Sequence, residues 1–351
     1  MSDIRGLLFN KDTRKLEVLT TQVKRLDLSL KSSLLQAPIE RLQARLKRRG
    51  IKLKPYFYFG EDWGCVAGTA NIEVGFYDAD TLLKELNREI RGWSNEPRII
   101  DYLLRHETGH AFCYAHRLYK NPEFRKMFGI KGKFFDTYPP TDRFKPHPWS
   151  RDFVNPNRDH YAQKHPDEDF AETFGVWLSL PANWRKTYRN RKGALSKLEF
   201  VTKLVARHGD RPLQVPPDAR ELDAPVEAIR ETVADVLGAS LTKYRAKASG
   251  YIDPMLKKLG RYRKRPEDAG MVFLADVIGA HRKSIIEALV RSARVTVATA
   301  TALVGKMEAR SRALHLSVPL GMISKTLIDV TALATTLAAN FAWNETILLP
   351  R

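Results

Sequence analysis

Apolar residues recur at helical spacing in several stretches of the chain and alternate in two shorter ones. Over residues 31–49, Leu34, Leu35, Ile39, Leu42 and Leu46 stand close to the three-four spacing of an amphipathic helix. That stretch ends in Arg45, Lys47, Arg48 and Arg49 followed by Gly50, cations at the negative end of a helix dipole and then a glycine stop. Residues 51–59 alternate as a strand. So do residues 68–77, with Ile72, Val74 and Phe76 on one face and Asn71, Glu73 and Tyr77 on the other. Pro97 suits a first helical turn, and Ile99, Ile100, Leu103, Leu104, Ala111 and Leu118 carry a helix to about residue 120. Pro166 opens a second strong helix, through residue 180.

Between these two helices the pattern is irregular. Seven prolines fall from Pro122 to Pro166, but Phe134, Phe135, Tyr138, Trp149, Phe153 and Tyr161 predict an ordered, packed connection. Pro212, Pro216 and Pro217 mark residues 209–221 as a linker. Beyond it the chain reads as helical, with breaks near 250–254, 260–270 and 319–321, and shows no fixed-period repeat. The expected organisation is a basic N-terminal arm (1–30), an α+β catalytic domain (31–208), the linker, and an all-α C-terminal domain (222–351). The chain's 351 residues suit about two domains and need no cross-link merely to fold.

Composition narrows the class further. Hydrophobic residues at 43% and charged residues at 28% are ordinary for a globular protein. Two cysteines, Cys65 and Cys113, exclude a disulfide scaffold and a Cys-rich zinc module, and fit a reducing compartment. The first ten residues carry Asp3 and Arg5 and no apolar run, so no secretory signal is expected and a cytoplasmic location is. Residues 326–343 are apolar but interrupted by Asp329, and read as a buried core helix rather than a transmembrane segment. The net charge of +19 is diffuse, which favours solubility and weak attraction to polyanions. A nucleic-acid partner has no motif behind it: there is no zinc finger, RNP or basic-zipper signature. The sequence specifies no oligomeric state.

The chemistry concentrates in His106-Glu107-Thr108-Gly109-His110. Two histidines four apart share a helix face with Cβ atoms about 5–6 Å apart. Two imidazoles so placed can reach one zinc at about 2.0–2.1 Å each. Glu107, rotated about 100° from His106, stands beside the metal, where a general base takes a proton from an activated water. Gly109 leaves room for close approach by another element. In a chain with nine histidines, chance supplies such a match roughly once in eighty sequences of this composition. His116 sits where a third histidine stands in HExxHxxGxxH, but Cys113 replaces the glycine that turns the chain. The helix should therefore continue and carry His116 about 240° around and ~9 Å away. A third ligand is better sought in His165-Pro166-Asp167-Glu168-Asp169-Phe170-Ala171-Glu172, where Glu168 and Glu172 share a face. Two carboxylates one turn apart can bind a metal and hold a ligand histidine's second nitrogen.

These blocks, with Gly68-Thr69-Ala70-Asn71-Ile72-Glu73-Val74 and Tyr161-Ala162-Gln163-Lys164, resemble a bacterial family of zinc-binding metallopeptidases of the gluzincin type, over about residues 54–201. The motif arrangement is also similar to the catalytic domain of anthrax lethal factor. The resemblance implies a zincin-like fold, zinc as cofactor and a peptide or protein substrate. It implies Glu168 as the third ligand beside His106 and His110, Glu172 orienting His106, and Tyr161 assisting the oxyanion. It also implies a peptide along an edge strand, which would place Ala70, Ile72 and Val74 at the substrate. A phenol can donate to a developing oxyanion on chemical grounds alone; His147, His160 and His165 in the same connection could do the same. The function expected is a zinc-dependent peptidase, an endopeptidase, with Glu107 as general base. The alternative is a regulatory zinc-site protein that binds a protein or nucleic-acid partner through its basic surface and helical C-terminal half.

Overall fold

The computed structural model describes residues 3–138, 143–181, 183–262 and 270–344. Pro139 and Pro140 of the irregular connection, and most of the break expected at 260–270, lie outside them. The chain divides into two compact units: residues 28–228, and residues 1–27 together with 229–351.

The division corrects the expected N-terminal arm. The described part of this stretch holds helices α1 (Ile4–Leu8) and α2 (Lys11–Leu19) and belongs to the same unit as the C-terminal half. Ile4, Leu8, Leu16 and Leu19 are all buried. A buried ion network explains why. Glu17 of α2 sits 2.6 Å from the Lys306 ammonium, and Arg310 grips Asp253 through two hydrogen bonds of 2.9 and 2.6 Å. Charges this deeply placed are tolerated only when each has its partner, so the polar look of the first thirty residues conceals a core contribution.

The 28–228 unit runs α3 (Gln36–Arg48), β1 (Tyr56–Gly60), β2 (Gly64–Cys65), β3 (Asn71–Gly75), α4 (Thr81–Arg91), α5 (Pro97–Ala115), α6 (Pro122–Met127), α7 (Pro166–Ser179), α8 (Trp184–Tyr188) and α9 (Lys192–His208). It mixes helix and sheet, as an α+β domain does. Its sheet order is β1-β3-β2, with β3 parallel to β1 and antiparallel to β2. This overturns the expectation of an edge strand at Ala70, Ile72 and Val74. β3 is central, its backbone is paired on both sides, and all three residues are fully buried. The edge next to α5 is β2, whose two residues are too few for an alternation to show in sequence.

The two long helices behave as their termini dictate. Pro97 opens α5 and Pro166 opens α7, each at the first turn. The expected helix to residue 120 stops at Ala115, because Arg117 adopts a left-handed φ of 48°. The expected linker supplies the reason. Gln214 and Val215 donate their backbone N–H groups to the Ala115 carbonyl at 2.8 and 3.1 Å. Nearby, Asn71 Nδ2 donates to the carbonyls of Asp218 and Glu221, each at 2.7 Å. Residues 209–221 are therefore tied to this unit by hydrogen bonds at the end of α5 and at β3.

α5 and α7 pack directly on one another. A Cβ on Gly109 would lie 2.7 Å from the Ala171 Cα, backbone against backbone, so only glycine permits this crossing. Phe112 stacks on Phe174 at 5.1 Å just beyond it.

The second unit continues with α10 (Val233–Leu237), α11 (Thr242–Lys247), α12 (Asp253–Leu259), β4 (Arg261–Tyr262), β5 (Met271–Phe273), α13 (Leu274–Ala280), α14 (Arg282–Ala293), α15 (Val297–Ala313), β6 (Leu316–Pro319) and α16 (Ile323–Asn344). It is not all-α: β4, β6 and β5 form a small antiparallel sheet of two- to four-residue strands. Its core gathers Leu256, Leu274, Ile278, Leu289, Leu303 and Val304. By length and composition, residues 320–343 could cross a membrane. α16 buries Val330, Ala334, Leu337 and Ala338 along one face, while Ile328 and Trp343 stand exposed, so the expected core helix is buried on one side only.

His116, at the end of α5, is buried against Phe112 and near His208 (ring centroids 4.8 and 5.6 Å), apart from the HExxH site as expected. Burial, aided by His208 with Arg207 and Arg211 behind it, pushes its pKa down to about 4. The imidazole is thus held neutral in the fold and charges more easily once unfolded, near the ordinary 6.5. Its contribution is full above pH 6.5 and is lost as pH falls toward 4, with no further loss below. The loss is about 1–2 kcal/mol, or several degrees in Tm. Comparing Tm across pH 4–7 for the wild type and His116→Gln checks this: the variant should show the shallower acid slope.

Candidate metal centre

The site is built from two helices held in backbone contact. From α5 come His106 and His110, one turn apart, with their rings 4.9 Å apart between centroids. From the first turn of α7 comes Glu168. His106 Nε2 lies 3.1 Å from Glu168 Oε2, His110 Nε2 lies 3.2 Å from the same oxygen, and the two Nε2 atoms are 3.2 Å apart. Among the described residues these three are the only group of three or more His, Cys, Asp or Glu side chains placed to hold a metal ion.

The far side of each imidazole meets a carboxylate. Glu172 Oε1 lies 3.0 Å from His106 Nδ1, and Asp167 Oδ1 lies 3.0 Å from His110 Nδ1. Carboxylates so placed favour the proton on Nδ1, which leaves both Nε2 lone pairs aimed at the common point. Each carboxylate is itself fixed by phenols. Tyr102 donates to Glu172, while Tyr114 and Tyr138 donate to Asp167, the latter at 2.7 Å.

The triangle of ligand atoms fits zinc. Donors on a tetrahedral ion at 2.0–2.1 Å stand about 3.3–3.4 Å apart, and the three sides here are 3.1–3.2 Å. The electrostatics point the same way. Burial alone would lower the His106 pKa, yet Glu168 and Glu172 outweigh it and push it up to about 10. Burial would raise the Glu168 carboxyl, but His110 and His106 hold it well below its usual range. The carboxylates thus call for positive charge between the two rings.

Glu107, on α5 beside the triangle, is buried and is not one of the three ligand atoms' owners. Burial raises its pKa, with His106 and His110 opposing. A carboxylate raised in this way holds a proton more readily than a free one. Tyr161 places its hydroxyl 3.3 Å from Glu168 Oε1, its ring 5.8 Å from His106, and accepts from the Lys164 ammonium at 3.2 Å. The loop histidines are otherwise engaged. His165 caps α7, with Nδ1 accepting from Asp167 N at 3.1 Å and Tyr138 stacked on its ring at 3.7 Å. His160 Nδ1 meets Asn155 Nδ2 at 3.1 Å, and His147 joins Gln163 through its backbone.

Sequence reasoning missed Asp167, Tyr102, Tyr114 and Tyr138. Two of them carry a readable signal: Tyr102, His106, His110 and Tyr114 are spaced by four, a single stripe along α5. Asp167 was hidden among the acids that favour any helix N-terminus.

A family model described as "Putative zinc-binding metallo-peptidase" matches residues 22–203, about half of the chain. The chain belongs to this family. No curated protein and no solved structure matches it, so the likeness to lethal factor rests on its motifs alone. The metallopeptidase match takes in β1 to α7 and every residue of the metal centre.

Proposed function

We propose that the protein is a zinc-dependent peptidase of the gluzincin type with a zincin-like catalytic unit, acting on internal peptide bonds. The observation that carries this reading is the near-equilateral triangle of two imidazole nitrogens and one carboxylate oxygen, each aimed inward by a buried partner. His106, His110 and Glu168 would hold the ion, with Glu172 and Asp167 fixing the two rings. When bound, zinc supplies the positive charge that acidifies a water and polarises the scissile carbonyl. Glu107 accepts the water's proton and returns it to the leaving amine. The Tyr161 hydroxyl donates to the developing oxyanion. The substrate chain lies extended along β2, the open edge next to α5, where unpaired backbone groups accept another strand.

Metal removal tests the reading. A mixed peptide library should be cleaved by the zinc-loaded protein, spared after chelation, and cleaved again when one equivalent of zinc returns. Cleavage that survives chelation would contradict it.

A further inference from the structure

Outside the metal centre, the strongest concentration of unassigned chemistry lies in the unit formed by residues 1–27 and 229–351. We propose that the aromatic and basic surface made by Lys24, Arg25, Tyr262 and His315 binds single-stranded nucleic acid. This goes beyond the peptidase reading and does not rest on it.

The surface is built on ordered backbone. Val23 and Lys24 donate their N–H groups to the carbonyls of Glu231 and Ile229 at 3.0 and 3.2 Å, which fixes the turn at residues 23–25. β4, carrying Arg261 and Tyr262, pairs with β6. Tyr262 is 45% exposed. Arg25 is locked by a 2.9 Å hydrogen bond from Nη1 to the Leu314 carbonyl, with its guanidinium 3.8 Å from the Tyr262 ring centroid. The Lys24 ammonium stands 6.0 Å from the same ring. His315 bridges Tyr262 and Phe273 at 6.4 and 5.8 Å. Beside them opens a cavity of about 770 Å³ with Lys24, Arg25, Arg282, Arg312 and His315 on its walls, together with two acids, Asp27 and Glu308.

The charge balance favours a polyanion. Arg282 and Arg312 are partly answered by Glu308 and Asp276. Lys24 and Arg25 have no ion pair to a described carboxylate. Burial would raise the Tyr262 phenol, but Arg25 and Lys24 outweigh it and hold the pKa below its ordinary value. Cations beside an exposed flat ring match a strand that offers phosphates and unstacked bases together. A duplex hides its base faces, and an acidic peptide has none to stack.

The test uses the full chain and fluorescein-labelled dT20, read by anisotropy between 50 and 200 mM salt. Binding should weaken with a log–log slope of about −2 to −3, from three or four phosphates at about −0.7 each. Tyr262→Ala should weaken binding about 10-fold or more, and Tyr262→Phe should restore it. Lys24→Gln should lower the slope by about 0.7. Absence of binding, equal affinity for a duplex or for polyglutamate of the same charge, or indifference to Tyr262→Ala would each overturn the proposal.

Discussion

Glu107→Gln is expected to lose hydrolysis by at least about 10²–10⁴-fold, the usual contribution of a positioned general base. The variant should still bind one zinc per chain. The amide keeps the size and the buried seat of Glu107 on α5 but cannot accept a proton. Glu107 lies outside the triangle of ligand atoms, so metal affinity should hardly move. Turnover and metal content measured on the same preparation separate the two effects. Unchanged turnover would remove Glu107 from its role; lost zinc would mean that it is a ligand.

The second large effect is expected at α7. Glu168→Ala deletes the oxygen that lies 3.1 and 3.2 Å from the two Nε2 atoms, and zinc should be lost on dialysis. Glu172→Gln and Asp167→Asn leave the triangle whole but loosen one ring each. Each should weaken zinc about 10–100-fold, read by chelator competition. Asp167 should matter as much as Glu172, because it is fully buried and takes two phenol hydroxyls as well as His110. If Glu172→Gln stripped the metal and Glu168→Ala did not, the two glutamates would have exchanged roles.

Much of the centre was legible because helix periodicity is local. A spacing of four puts His106 with His110 and Glu168 with Glu172 on shared faces, whatever the rest of the chain does. Gly109 could be read as a point of close approach, although not that Ala171 would occupy it. What the sequence hid was non-local. The strand at Asn71–Gly75 shows its alternation, but whether it is an edge depends on a two-residue partner, Gly64–Cys65, too short to announce itself. The proline-rich stretch at 209–221 reads as a linker because its hydrogen-bond partners, Ala115 and Asn71, lie about a hundred residues or more away in the chain. Residues 1–27 look like a basic arm because the acid that anchors them, Glu17, is answered by Lys306.

The most direct test of the central claim is X-ray absorption at the zinc edge of the loaded wild-type protein beside Glu168→Ala. The account predicts two imidazole nitrogens and a carboxylate oxygen at about 2.0–2.2 Å in the wild type, and no ordered zinc in the variant. A wild-type spectrum with a third imidazole or a sulfur ligand, or an identical spectrum from the variant, would contradict it.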